Sequence, residues 1–260
     1  MTAIALRMTG ADLLKLRRKR WLVLLSLFLT LGILAIVYLV TVIQHASAPS
    51  NHGPAGGVEH FGDGVRVLSL IFGPLAAILI GIEAGAGDTA TGVFRDLVVT
   101  GRSRVALFAS RVPAALLLCW TVMVAGFVLV LVASNVFASG LPTPGAALIF
   151  NSLGFILLAT GVVCVVAVGF ASLTTSRAGA IVTLIAWQIV ASPLLSSIGS
   201  LGSARRLILS QAIGHFSPVS TEGRHGTTVA MSTGTALIVM IGWLLIFLML
   251  GAWRTAEMDA

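Results

Sequence analysis

GDTATGVFRDLVVTGRSRVALFASR, residues 87–111, holds four arginines and two aspartates in a chain otherwise poor in charge. What this run is depends on the solvent around it, and composition decides the solvent. Apolar residues make up 57% of the 260 and charged residues only 10%, with a mean hydropathy of +1.04, outside the balance of soluble domains. The chain belongs in a bilayer, where backbone polar groups are satisfied inside helices, so the expected fold class is an all-α integral membrane protein. Residues 87–111 then become a polar connection between two spans.

About twenty apolar residues cross a hydrocarbon core about 30 Å thick. Working outward from the polar run gives six spans, near residues 21–43, 66–84, 112–134, 146–173, 178–198 and 229–253, in a single transmembrane domain covering 1–260. The second is short, since only 16 uncharged residues separate Arg66 from Glu83, and its flanking groups are expected to snorkel. No charge occurs from 112 to 176, and Pro142 and Pro144 divide that stretch into two spans. The fifth loses its apolar continuity around Pro193.

Lysine and arginine are retained on the cytoplasmic side of a membrane. With both termini inside, twelve of the sixteen basic residues fall in cytoplasmic segments; Arg66, Arg205, Arg206 and Arg224 fall outside. The expected location is the cell membrane, multi-pass, with the N- and C-termini cytoplasmic. The net charge of +7 gathers at span ends rather than on a face with stacking aromatics, so the expected partner is membrane lipid and not nucleic acid. KLRRKRW at 15–21 is the clearest case. Residues 1–20 read as an interfacial leader helix, retained rather than cleaved: Ala5, Leu6, Leu13 and Leu16 share one side, and Arg7, Lys15 and Arg18 point elsewhere.

Other chemistry leaves little trace. Cys119 and Cys164 fall inside spans without metal-ligand spacing and read as small buried hydrophobes. His45, His52 and His60, with Glu59 and Asp63, decorate a first external loop whose Gly, Ala, Ser and Pro content reads as solvated rather than as a preset metal site. A phosphate-cradling GxxxxGK[ST] loop is absent, and the only lysines are Lys15 and Lys19. The chain reads as no enzyme on its own: no catalytic residues, no metal ligands and no cofactor bound by this chain.

Within the opening run, Val93, Phe94, Leu97 and Val98 fall at i, i+1, i+4, i+5, one apolar face of a short helix with Arg95, Asp96 and Thr100 opposite. Gly101 ends it, and Ser103 is placed to cap the helix that returns to the membrane. The spacing resembles the cytosolic loop of the ATP-binding-cassette type-2 permeases, whose usual form is an acidic residue, G-T, a leucine-rich turn, T-P-x-S-R and a basic residue seven positions on. Asp88 stands four before Gly92; Thr100 is eight after it, Ser103 and Arg104 eleven and twelve after, Arg111 nineteen after. Val93 replaces the usual Thr, Gly101 the Pro and Arg111 the common Lys. The detailed likeness covers about 83–113, and the remainder matches in layout.

The resemblance implies the permease subunit of an exporter, paired with a second permease, a copy or a homologue, and with two cytosolic ATPase subunits that bind the ATP and Mg. Gly92, Val93, Phe94, Leu97, Val98, Gly101, Arg102 and Arg104 would form and flank a coupling helix seated on an ATPase. It also implies a path lined by the second and fifth spans, with Phe72, Trp187, Gln188 and Pro193 as candidates. Residues 200–228 fit either re-entrant helices closing the outer exit or an ordinary surface loop. With no charge at a span centre, the cargo expected is hydrophobic or amphiphilic: a drug, antibiotic, peptide or lipid. The alternative is a channel or secondary transporter working without ATP, although internal repeats, the usual mark of the latter, are not evident.

Overall fold

In hydrocarbon no water is at hand to satisfy an exposed N–H or C=O, so a chain this apolar closes its backbone bonds within helices. The computed structural model describes residues 2–90, 92, 101, 103–174, 176–219 and 229–257, and every regular element among them is helical. A leader helix, Thr2–Arg18, precedes six helices long and apolar enough to cross a membrane: Arg20–Ser47, Gly57–Thr89, Arg104–Val136, Ala146–Leu173, Arg177–Ser197 and Thr233–Glu257. The protein is a multi-pass membrane protein. The end of the bundle beside the leader is called the near end below.

The shortest span has 21 residues, about 31 Å at 1.5 Å per residue, enough for the core. The second and third reach 33. The second is therefore not short: the helix continues through the charged residues that bound its apolar run, from Glu59 past Asp88, because those charges are paired or lie at its ends instead of terminating it. The third begins at Arg104, where the Ser103 hydroxyl accepts a 3.2 Å hydrogen bond from the Ala106 N–H. That is the cap its sequence position calls for.

The second and fourth spans make the centre of the bundle, and their approach depends on Gly81 and Gly85. A Cβ at Gly81 would stand 2.6 Å from the Cys164 carbonyl oxygen, and one at Gly85 would stand 2.4 Å from that of Val168. Backbone cannot move aside as a side chain can, so only glycine permits this contact. Cys119 and Cys164 are buried nearby as small apolar groups. Of the apolar window in the fourth span 72% is buried, against 11% in the fifth, which lies at the outside of the bundle.

Three spans contain one wide, π-type turn: Phe28–Gly32 in the first, Val67–Ile71 in the second and Trp187–Ala191 in the fifth. In the second and fifth a proline follows, Pro74 and Pro193. A proline ring crowds the carbonyl four residues earlier and offers it no N–H. Those carbonyls belong to Leu70 and Ile189, inside the wide turns, where the helix is loosened to make room. The first span has no proline; there the Thr30 hydroxyl donates back to the Ser26 carbonyl at 3.0 Å, a contact that bends helices.

At the far end, Gly199–Leu207 forms 3₁₀ turns and Leu209–Gly214 a short α-helix. Both are tied to neighbouring spans: the Trp243 indole N–H donates to the Leu207 carbonyl at 2.9 Å, and the Gln211 amide donates to the Ser196 hydroxyl at 2.9 Å.

Candidate functional site

Glu83 and Asp88 lie in the last turns of the second span, five residues apart. At 100° per residue they point about 140° apart around the axis, so they are served by different neighbours. Asp88 receives the Arg111 guanidinium of the third span at 3.1 Å and the Lys15 ammonium of the leader. Glu83 receives the Lys19 ammonium of the leader and the Arg177 guanidinium that opens the fifth span. Arg111 also donates to the Gly85 carbonyl at 3.2 Å, and the Ser110 hydroxyl donates to Asp12 of the leader at 2.7 Å. The result is two parallel Lys–carboxylate–Arg bridges that fasten the leader to the second span and the second span to the third and fifth.

Burial makes the arrangement energetically consequential. Glu83, Asp88 and Arg111 are each 3% exposed, and an ion taken out of water costs several kcal/mol unless it is paired and hydrogen-bonded. Among the described residues each buried carboxylate meets two cations, one from the leader and one from a span. A cavity of about 10 Å³ lies between Asp12, Lys15, Lys19, Glu83, Asp88 and Arg111, room for about one water. Burial pushes the Lys15 ammonium below the ordinary lysine value, against which the Asp12 carboxylate pulls it up. The carboxylates are engaged by cations, and no group of three or more His, Cys, Asp or Glu among the described residues is disposed to hold a metal. The hub's chemistry is positional: it holds helix ends in register.

Its partners differ from the leader pattern read in the sequence. Lys15 does not point away from the bundle; it shares the inward stripe Ile4, Ala5, Met8, Thr9, Asp12, Lys15, Leu16 and Lys19, whose members line either this hub or the cleft between the leader and the third span. Leu6, expected on the packed side, is 72% exposed, whereas Leu16 is 4% exposed. A buried carboxylate attracts an ammonium more strongly than apolar packing attracts one leucine, which rotates the stripe.

Of the residues expected to form and flank a coupling helix, Gly92 and Gly101 have positive φ, +74° and +79°, so the chain turns at each of them in the left-handed region glycine tolerates. The Arg104 guanidinium donates to the Ala256 carbonyl at 3.0 Å, tying the third span to the end of the sixth. Val93, Phe94, Leu97, Val98 and Arg102 lie outside the described residues. Of the residues expected to line a path, Phe72 is half-buried directly after the wide turn of the second span. Trp187 opens the wide turn of the fifth and packs on Trp243 of the sixth, ring centroids 6.1 Å apart, while Gln188 is half-buried and Pro193 exposed. The histidines sit at the far end, where His45 Nδ1 is 2.8 Å from the His52 carbonyl and His60 Nδ1 3.2 Å from that of Gly56.

Sequence reasoning used Asp88 and Arg111 for their register and passed over Glu83, Lys19, Arg177 and Asp12 as hub members. The available signal was an unbalanced acid, Glu83, within the apolar continuation of a span, which requires a cation from elsewhere. No protein-family model matches the chain, and no curated protein matches it. The functional reading therefore rests on its own residues.

Proposed function

We propose that the chain is the permease subunit of an ATP-binding-cassette type-2 exporter, working with a second permease and two cytosolic ATPases that bind the ATP and Mg. The observation that carries this reading is the pairing of Asp88 with Arg111. These are the first and last residues of the register that resembles the family's cytosolic loop, 23 positions apart, and they close the base of the connection between the second and third spans. A segment clasped at its base transmits a push on its tip to both helices, which is what a coupling element needs.

In this reading, Val93, Phe94, Leu97 and Val98 pack into an ATPase groove, and Arg102 and Arg104 supply charge-assisted bonds. The hub then spreads the movement to the leader and to the fifth span, through Lys15, Lys19 and Arg177. Phe72, Trp187, Gln188 and Pro193 border the path, and the wide turns of the second and fifth spans give those helices places to flex. The helical pieces within 199–214 close the outer exit, and both termini face the cytosol of the cell membrane. Buried charge among the described residues gathers at the near end instead of mid-span, which supports an apolar or amphiphilic cargo. The deciding experiment is purification of the chain with its candidate ATPase. Cargo-dependent ATP turnover that requires this chain supports the reading; flux by the chain alone in liposomes, indifferent to ATP, replaces it with a channel or secondary transporter.

A further inference from the structure

The two bridges of the hub are not symmetric in what their loss would leave behind. If Arg111 or Arg177 were withdrawn, a carboxylate buried inside the bundle would lose the cation that a neighbouring span supplies and lean on a half-exposed lysine of the leader. If the leader withdrew, Asp88 would keep Arg111 at 3.1 Å and Glu83 would keep Arg177. The usual penalty for breaking a buried ion pair is the uncompensated charge that remains, and the second cation on each carboxylate avoids it. The ionic contacts of the leader with the second span are thus separable from those that hold the second span to the third and fifth.

The lysines are also the outward members of the hub. Their side chains are 39% and 29% exposed, against 3% for Arg111, and burial disfavours the charge on Lys15. Around them Arg17, Arg18 and Arg20 are exposed on the same segment, next to Trp21 at the start of the first span. Five cations within six residues, 15–20, lead into the first span, and polybasic segments beside a span attract anionic lipid headgroups. Three already face outward and two are held by carboxylates.

We propose that the leader helix is a releasable clasp on the near ends of the second, third and fifth spans, opened by anionic phospholipid headgroups that compete with Asp88 and Glu83 for Lys15 and Lys19. In the clasped state the lysines bridge to the carboxylates. In the released state they join Arg17, Arg18 and Arg20 on lipid phosphates, and the carboxylates keep their arginines. Lipid charge at this surface thereby sets how firmly the second span is held against its neighbours, whatever the bundle transports.

The test uses the unmodified chain, because Lys15 and Lys19 are its only lysines. A carbodiimide joins an ammonium to a carboxylate it touches, so in nanodiscs of neutral phosphatidylcholine the protein should yield isopeptides Lys15–Asp88 and Lys19–Glu83, read by mass spectrometry. With phosphatidylglycerol as half the lipid, both yields should fall several-fold, and raised salt should restore them by screening. Equal yields in the two bilayers, or no isopeptide in the neutral one, would overturn the proposal. Inorganic phosphate in neutral nanodiscs is the control for source: loss of the isopeptides there assigns the competitor to soluble phosphate and overturns the lipid assignment. A disulfide pair, Leu16→Cys with Ala84→Cys across the same small cavity, in a background with Cys119→Ala and Cys164→Ala, gives a second reading that does not involve the charged groups. Its oxidation yield should follow the isopeptides; an unchanged yield means that the lysines exchange partners while the helix stays docked, which also overturns the clasp.

Discussion

At the scale of single residues, Lys15 and Arg111 show how one carboxylate can value two cations differently. Both touch Asp88, but Arg111 is buried and donates to the Gly85 carbonyl as well. Arg111→Ala removes the partner that the interior cannot replace and should cost about 3–5 kcal/mol, as for other broken buried pairs. Lys15→Gln should cost less than half of that, since Asp88 keeps its arginine. Thermal unfolding of the detergent-solubilised protein, followed by size-exclusion chromatography, ranks the two; a Lys15→Gln loss as large as that of Arg111→Ala would contradict the ordering. Ser103 makes a smaller claim. Its hydroxyl satisfies a free N–H at the start of the third span, so Ser103→Ala should cost about 1 kcal/mol and speed amide exchange over residues 104–107 without altering the rest of that helix.

Elements are joined by backbone approach in the middle of the bundle and by charge at its near end. Where the second and fourth spans cross, Gly85 leaves no volume for a side chain. Gly85→Val should therefore separate the helices and cost about 3 kcal/mol, at the upper range of overpacking, visible as a lowered melting midpoint and loss of the monodisperse species. The same change at Gly10, where a Cβ meets nothing within 4 Å, should leave the midpoint nearly unmoved and serves as the control. The wide turns belong to this scale too. Pro74 and Pro193 stand within three residues of the ends of two of them, so these irregularities have a covalent cause in the sequence, whereas the turn at Phe28–Gly32 has only the Thr30 contact.

For the whole molecule, the proposed orientation and coupling make separate predictions. With both termini cytoplasmic, a cysteine at His52 should react with a membrane-impermeant maleimide on intact cells, and one at Ala256 only after permeabilisation; the reverse pattern inverts the topology. The double change Phe94→Asp and Leu97→Asp should abolish ATP-driven transport while the protein still inserts and purifies as a folded membrane species. Undiminished transport would remove the coupling role from that apolar face. These outcomes are independent of the clasp, which concerns how the leader is held and not what drives the cargo.

Composition and the lengths of uncharged runs are enough for a helical membrane protein with six spans, because transfer free energy depends on local residue content and on a fixed bilayer thickness. The glycines that frame the polar connection and the serine after it were legible for the same reason, since turns and caps are local. Pairing was not. Lys15 and Lys19 meet Asp88 and Glu83 across 73 and 64 positions, and nothing in one segment says which distant charge will be brought beside it. The leader's inward face likewise depended on carboxylates in another helix. Spans and their punctuation were written in the sequence by itself; which charges share the interior, and which helix can let go of them, was decided only when packing brought the near ends together.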